Sequence, residues 1–416
     1  MESVSQRTFW QSPWGYAQSL VVVAGILLIG FLLQILIGSF SFYLLAFPVN
    51  IIVGIVILLS CLLAGWRFRN SWPVQWFSGQ SMSVCLIVAL LLLSLIMGLI
   101  PQLGEEHPSH TFLGWETMTR NWAFVFIYLL TLLSLGILIV RRLISFRWRD
   151  YAFYLNHMGL WLLLMASGLG YADMERYVMH VYEGDTEWRV YGSDEQVKEL
   201  PIAIELKDFR MDVYQPRLAL IDRRTGEVLP AGSPEYFPID LDNTEGHLGG
   251  YGIRLQQYIH QAIRNSDSTY REVPMPGSSP AALIQVRFNG RPMEGWVCAG
   301  NRAQLYQPLT LDSLLAVVMT PPEPRSFTSD VVVYTRGGDT QSATLSVNHP
   351  VSTGAWTIYQ YGYDENAGAL SAYSSFELVY DPWLSPVYVG VWMMMVGSAC
   401  LIWQGRKRKE LTNDVE

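Results

Sequence analysis

Charge is scarce in this 416-residue chain: Asp, Glu, Lys and Arg make up 15% of it, while half is hydrophobic. A soluble protein of this length usually carries more charge. The net charge of −8 lies mostly in one long polar segment, and the basic residues cluster beside apolar runs. That distribution argues against nucleic acid as a partner. Cysteine is scarce too. Cys61, Cys85 and Cys400 lie in apolar runs, and Cys298 stands alone in the polar segment. With no CxxC and no pairing partner in that segment, thiol redox chemistry is not expected. GxxxxGK[ST], GxGxxG after a strand, HExxH and GxSxG are all missing, so a nucleotide-driven motor or an independent hydrolase is unsupported. No internal repeat of fixed period is present.

Long apolar runs are what the chain does have. They fall at about 19–38, 46–65, 82–100, 122–140, 151–171 and 384–404, each near the ~20 residues a bilayer-spanning helix needs. The first follows a nearly uncharged lead with Trp10, Trp14 and Tyr16 and has no small-residue cleavage site after it. It is expected to be a retained span with an interfacial aromatic cluster. Arg67 and Arg69 follow span two; Arg141, Arg142, Arg147 and Arg149 follow span four; Arg406-Lys407-Arg408-Lys409 follows span six. If the spans alternate, all three basic groups share one side. The positive-inside rule makes that side cytoplasmic, together with both termini, in a cytoplasmic (inner) membrane. The loop 101–121 and the segment 172–383 then lie outside. The expected organisation is a two-span region 1–81, a three-span region 82–171, an extracytoplasmic domain 172–383, and a last span with a basic tail 384–416.

Segment 172–383 changes character. Pro201–Leu206, Ala281–Phe288, Val331–Tyr334 and Trp356–Tyr361 have strand periodicity and strand residue types. Arg224-Thr225-Gly226, Asn289-Gly290 and Gly337-Gly338-Asp339 read as turns. Pro321-Pro322-Glu323-Pro324 breaks the segment late on, and Leu311–Met319 reads as helical. The fold class expected is an integral membrane α-helical bundle of about six spans. A large, mostly antiparallel β domain is inserted before the last of them.

His157 lies inside the fifth apolar run, roughly 10 Å in from Tyr151 at ~1.5 Å per residue. An ionisable side chain at that depth is a functional candidate by default. It has two readings. One is an imidazole that hydrogen-bonds a neighbouring helix and fixes packing. The other is a metal or haem-iron ligand in an apolar cleft, flanked by Tyr154 one turn back and Trp161 one turn on. A low-spin haem needs a second ligand, and candidates within the chain are poor. His107 and His110 sit together in the outer loop, across the bilayer, where a solvated pair is the bland reading. His180, His247 and His260 lie in polar contexts, and His349 sits in a turn-like stretch.

Three pieces together resemble the ResB (CcsB) family of System II cytochrome c maturation. The span YAFYLNHMGLWLLLMASGLG is similar to the family's histidine-bearing helix, with His157, Gly159 and Leu160. VNHPVSTGAWTIYQYGYD resembles its Asn-Pro turn and Tyr-Gln pair, with Asn348, Pro350, Gly354, Tyr359 and Gln360. YDPWLSPVYVGVWMMMVG resembles the Asp-Pro lead into the last span, with Asp381, Pro382, Gly390 and Gly397. The resemblance covers roughly residues 120–405. Family members commonly have fewer spans, the extra pair here falling at the N-terminal end.

The resemblance implies a membrane subunit of the System II cytochrome c synthase. It would act with a CcsA-like membrane protein in moving haem b across the membrane and attaching it to the CxxCH motifs of apocytochrome c. His157 would supply one axial ligand to the haem and the CcsA-like partner the other, so the chain is not expected to be catalytic alone. Separate thioredoxin-like proteins would keep the apocytochrome thiols reduced, which suits the lone Cys298. A competing reading, of a different class, is a non-haem scaffold or permease-like subunit whose outer β domain docks an external partner.

Overall fold

The computed structural model describes residues 9–104, 109–191, 196–265, 268–301, 303–365 and 367–413. The apolar runs form α1 (Tyr16–Ile37), α2 (Val49–Arg67), α4 (Gln80–Leu99), α5 (Trp122–Ile144), α6 (Tyr151–Gly170) and α7 (Leu384–Asn413), with a short α3 (Trp72–Phe77) between the second and third of them. Among the described residues six helices, all but α3, are long and apolar enough to cross a membrane. The chain is a multi-pass membrane protein with a large β-sheet region before the last helix, as expected. Polar side chains set two of the helix starts. Asn121 accepts from the Ala123 amide at 2.9 Å to begin α5, and Asp381 accepts from the Trp383 amide at 3.0 Å just ahead of α7. Arg141 and Arg142, expected to follow span four, belong to its helix. They form the last turn of α5, where a cation suits the negative end of the helix dipole.

The chain divides into two compact units, one of residues 1–175 with 380–416 and the other Arg176–Val379. In the helical unit α5 is the hub. Gly30 of α1 lets the backbone of Ala123 approach, Gly65 of α2 receives Val140, and Gly136 of α5 receives the Trp161 ring of α6. The tightest pairing is α6 with α7. A Cβ built on Gly159 would sit 2.5 Å from the Met394 amide nitrogen, and one on Gly397 would sit 2.3 Å from that of Asn156. Lipid tails are as apolar as leucine, so association here rests on close backbone packing and on polar cross-links. Asn156 supplies the cross-link, donating to the Met394 carbonyl at 3.3 Å and to Ser398 Oγ at 2.6 Å. At the other end of α6 the Asp173 carboxylate accepts from the Phe47 amide (2.8 Å), Asn50 Nδ2 (2.6 Å) and Trp383 Nε1 (2.8 Å). One acid thus ties the ends of α2, α6 and α7.

Among its described residues the β unit holds four sheets. Strands Leu309–Thr310, Leu315–Met319, Arg217–Asp222 and Tyr236–Pro238 form one, in that order. Arg291–Cys298, Ser279–Phe288, Tyr251–Arg264 and Glu245–Leu248 form a second, with Tyr270–Glu272 beside Tyr251–Arg264. Leu218, Leu220 and Val317 from the first and Ile253, Ile284 and Val286 from the second share one buried core, the packing of a sandwich. Thr340–Ser346, Pro324–Thr335, Val197–Val213 and Thr186–Tyr191 form the third sheet. Glu175–Tyr182, Tyr373–Tyr380, Trp356–Tyr363 and Val351–Thr353 form the fourth.

All four strand stretches read from sequence fall on strands. Asn289 (φ 48°) and Gly290 (φ 77°) make the two-residue hairpin turn their identities call for. The reading of Leu311–Met319 as helix is corrected: Leu315–Met319 is a strand paired antiparallel with Arg217–Asp222. A short apolar run fits either state by pattern alone. Here Asp312 Oδ1 takes the amides of Leu314 and Leu315, each at 2.7 Å, turning the chain into the strand.

Gly397→Leu will wedge α6 from α7 and destabilise the folded chain by ~1–3 kcal/mol or more. Gly98→Leu, at a site with nothing within 4 Å, will change little. Thermal unfolding in detergent, compared between the two variants, checks this.

Candidate functional site

His157 sits in the first half of α6, half-buried. Helix side chains lean toward the N-terminus, and its Nδ1 lies 3.0 Å from the Phe153 carbonyl oxygen of the preceding turn. A carbonyl only accepts, so Nδ1 carries a proton, and in the neutral imidazole the lone pair is then on Nε2. Among the described residues Nε2 has no hydrogen-bond partner. The imidazole also stacks on the Phe153 ring at 3.9 Å between centroids, and the Arg142 guanidinium lies over the other ring of that stack, 5.2 Å from the Phe153 centroid. The bond and the stack fix the orientation of the ring and, when it is neutral, its tautomer, as a metal-ligating imidazole requires.

The neighbouring side chains hold the helix rather than the imidazole. Asn156 reaches α7 as described. Tyr154 is buried, donates to the Arg142 carbonyl at 3.1 Å and stacks on Phe146. Trp161 donates to the Leu132 carbonyl at 3.1 Å. Both rings therefore brace α6 against α5, on turns either side of His157. The ring against the imidazole is Phe153, which sequence reasoning passed over. The i, i+4 spacing of Phe153 and His157 was the available signal.

The other candidates lie apart from it. His110 is exposed; its amide donates to Glu116 Oε2 at 2.7 Å and its Nδ1 lies 3.3 Å from the same oxygen. The His110 amide and ring hold the Glu116 carboxyl below the usual carboxylate range. His107 lies outside the described residues. His180 Nδ1 pairs with Ser375 Oγ at 2.7 Å, His260 Nδ1 with the Tyr258 hydroxyl at 3.2 Å, and His349 Nδ1 with the Val347 carbonyl at 3.2 Å. Among the described residues no group of three or more His, Cys, Asp and Glu is placed to hold a metal.

The motif residues of the β unit have structural explanations. Asn348 takes φ 65° in the turn after Thr340–Ser346, and Pro350 leads into Val351–Thr353. Gly354 takes φ 59° in the two-residue turn between paired Thr353 and Trp356, a position that glycine fills without strain. Tyr359 and Gln360 are on Trp356–Tyr363. Gln360 Nε2 donates to Ser374 Oγ at 2.7 Å, cross-linking that strand to its neighbour. Cys298 is fully buried and its sulfur accepts from Gln304 Nε2 at 3.2 Å.

Two outcomes follow. His157→Ala will leave the unfolding temperature of the isolated chain nearly unchanged, whereas Asn156→Ala will lower it, having lost two interhelical bonds worth up to ~1 kcal/mol each. The Glu116 carboxyl has a lower pKa folded than unfolded, so its clasp on His110 is complete above the unfolded value and is lost as pH falls through the folded one. The protection factor of the His110 amide, its exchange rate relative to the unfolded chain at the same pH, will therefore fall on acidification, and Glu116→Gln will remove that fall.

Comparison with known proteins bears on one of the three motifs, that of the β unit. No curated protein matches the chain. A solved structure titled cytochrome c heme lyase CcmF aligns with it at 12% identity and a TM-score of 0.24, covering 94% of this chain and 46% of that one. The chain thus spans about half the length of that protein. Residues 309–374, which hold Asn348, Pro350, Gly354, Tyr359 and Gln360, match the ResB-like family, and the resemblance to ResB carried by those residues is borne out.

Proposed function

We propose that this chain is the membrane subunit of a System II cytochrome c synthase, taking part in haem export and in covalent attachment of haem to the CxxCH motifs of apocytochrome c. The observation that carries the proposal is the state of His157. Its Nδ1–H is committed to the Phe153 carbonyl at 3.0 Å, leaving Nε2 as a ligand on a half-buried flank of α6. A packing histidine would bond a neighbouring helix, and on α6 that task falls to Asn156. The motif residues in the stretch matching the ResB-like family add support.

In this reading haem b is the substrate. His157 binds its iron from one side, and a CcsA-like membrane protein supplies the opposite ligand and the rest of the cleft. Tyr154 and Trp161, read from sequence as cleft walls, serve the cleft in this reading by holding α6 against α5. The chain does not catalyse attachment alone. The basic ends of the helices face the cytoplasm, both termini included, and the β unit faces outward. Its acidic surface attracts basic apocytochromes by long-range steering that fades with salt, and thioredoxin-like proteins keep the apocytochrome thiols reduced.

Co-expressed with a CcsA-like partner, the wild-type chain will purify red, with the spectrum of haem ligated by two histidines. His157→Ala will lower haem content several-fold, and added imidazole will restore part of it. A colourless wild-type complex that keeps both subunits overturns the proposal and leaves the non-haem scaffold as the better reading.

A further inference from the structure

At the arginine-bearing end of the helical unit, α3, α4, α5 and α6 border a cavity of about 900 Å³. Arg69, Arg141, Arg142 and Arg147 line it, against one carboxylate, Asp150. Four guanidiniums less one carboxylate leave three net positive charges. Arg141 donates to Ser78 Oγ at 2.6 Å and Arg142 lies over Phe153. Among the described residues none of the four arginines has a carboxylate within ion-pair distance. Arg141 is half-buried and the other three are exposed, so together they make an open positive field that an anion can join. The start of α4 adds to the field: Gly79 and Gln80 line the cavity, and the first turn has no side-chain cap and no acidic residue.

Two further features say what kind of anion fits. Trp66, Trp72, Phe146 and Trp148 are exposed around this end of the helices, as aromatic side chains are at the level of lipid headgroups. The cavity therefore lies at headgroup depth. From Gln80 on its wall, Val84, Ile87, Val88 and Leu91 continue along one face of α4, and all four are exposed. That face is an apolar track leading from the cavity toward the bilayer centre. A free phosphate would use the arginines alone; a phospholipid uses both arginines and track.

We propose that this cavity binds the headgroup of an anionic phospholipid carrying two phosphates, with its acyl chains along the exposed face of α4. Arginine forks pair bidentately with phosphate oxygens, and the site offers enough of them for both groups. Basic pockets between membrane helices recognise such headgroups by the same chemistry. Phe153 and Tyr154, beside His157, also line this cavity, so the test is made on the chain alone, without haem.

Native mass spectrometry of the full chain, released from detergent with added lipid, tests it. Cardiolipin, with two phosphates, will be retained at concentrations about tenfold below those needed for singly charged phosphatidylglycerol, and phosphatidylcholine will not compete. Arg69→Gln with Arg147→Gln will abolish that preference. Arg67→Gln, at the same end but outside the cavity, will not. Three results overturn the proposal: no preference for cardiolipin in the wild type, an equal loss with Arg67→Gln, or displacement of the lipid by equimolar pyrophosphate, which would mark a soluble-anion site. The first and third are read on the wild-type chain, so they do not depend on how the double variant folds.

Discussion

A polar group within a bilayer has no solvent to satisfy it and must find its partner in protein. That constraint organises α6. Asn156 bonds α7, Tyr154 and Trp161 bond carbonyls of α5, and Asp173 gathers three donors at the helix end. His157 differs from all of them. Its bond closes on its own helix, so it braces nothing else. The contrast arises because the two neighbours, Asn156 and His157, point to different sides of one helix.

Backbone proximity is the second half of the same constraint. Without hydrophobic drive between helices in lipid, α6 and α7 gain their attraction where Gly159, Gly390 and Gly397 bring the two chains into van der Waals contact. The glycines that looked like family markers in the sequence are thus the residues on which the helix pair depends. They also set its register, since Asn156 meets Met394 and Ser398 only when Gly397 lies against it.

Much of this was legible before any coordinates. Twenty-residue apolar runs leave little doubt about spans, and turn pairs such as Asn289-Gly290 place hairpins, because each signal has one dominant physical solution. Leu311–Met319 was misread because five to nine apolar residues suit either a helix or a buried strand, and the deciding contact was a side-chain turn at Asp312. The role of Asp173 was invisible, since its donors Phe47, Asn50 and Trp383 are far away in sequence. At the candidate site the imidazole was found from its depth alone. Its stacking partner Phe153 and its tautomer needed geometry.

The β unit begins and ends on neighbouring strands: Arg176 lies 3.9 Å from Glu377, and the Glu183 amide donates to the Ala372 carbonyl at 2.9 Å. In the helical unit, Asp173 at the end of α6 is likewise joined to Trp383 ahead of α7. Roughly two hundred residues therefore occupy the place of a short connector, and α6 and α7 remain a simple hairpin. Closing so long an excursion adds little entropic cost when its two feet already stand together. A change in the length of that β excursion leaves its two feet, and so the α6–α7 hairpin, where they are.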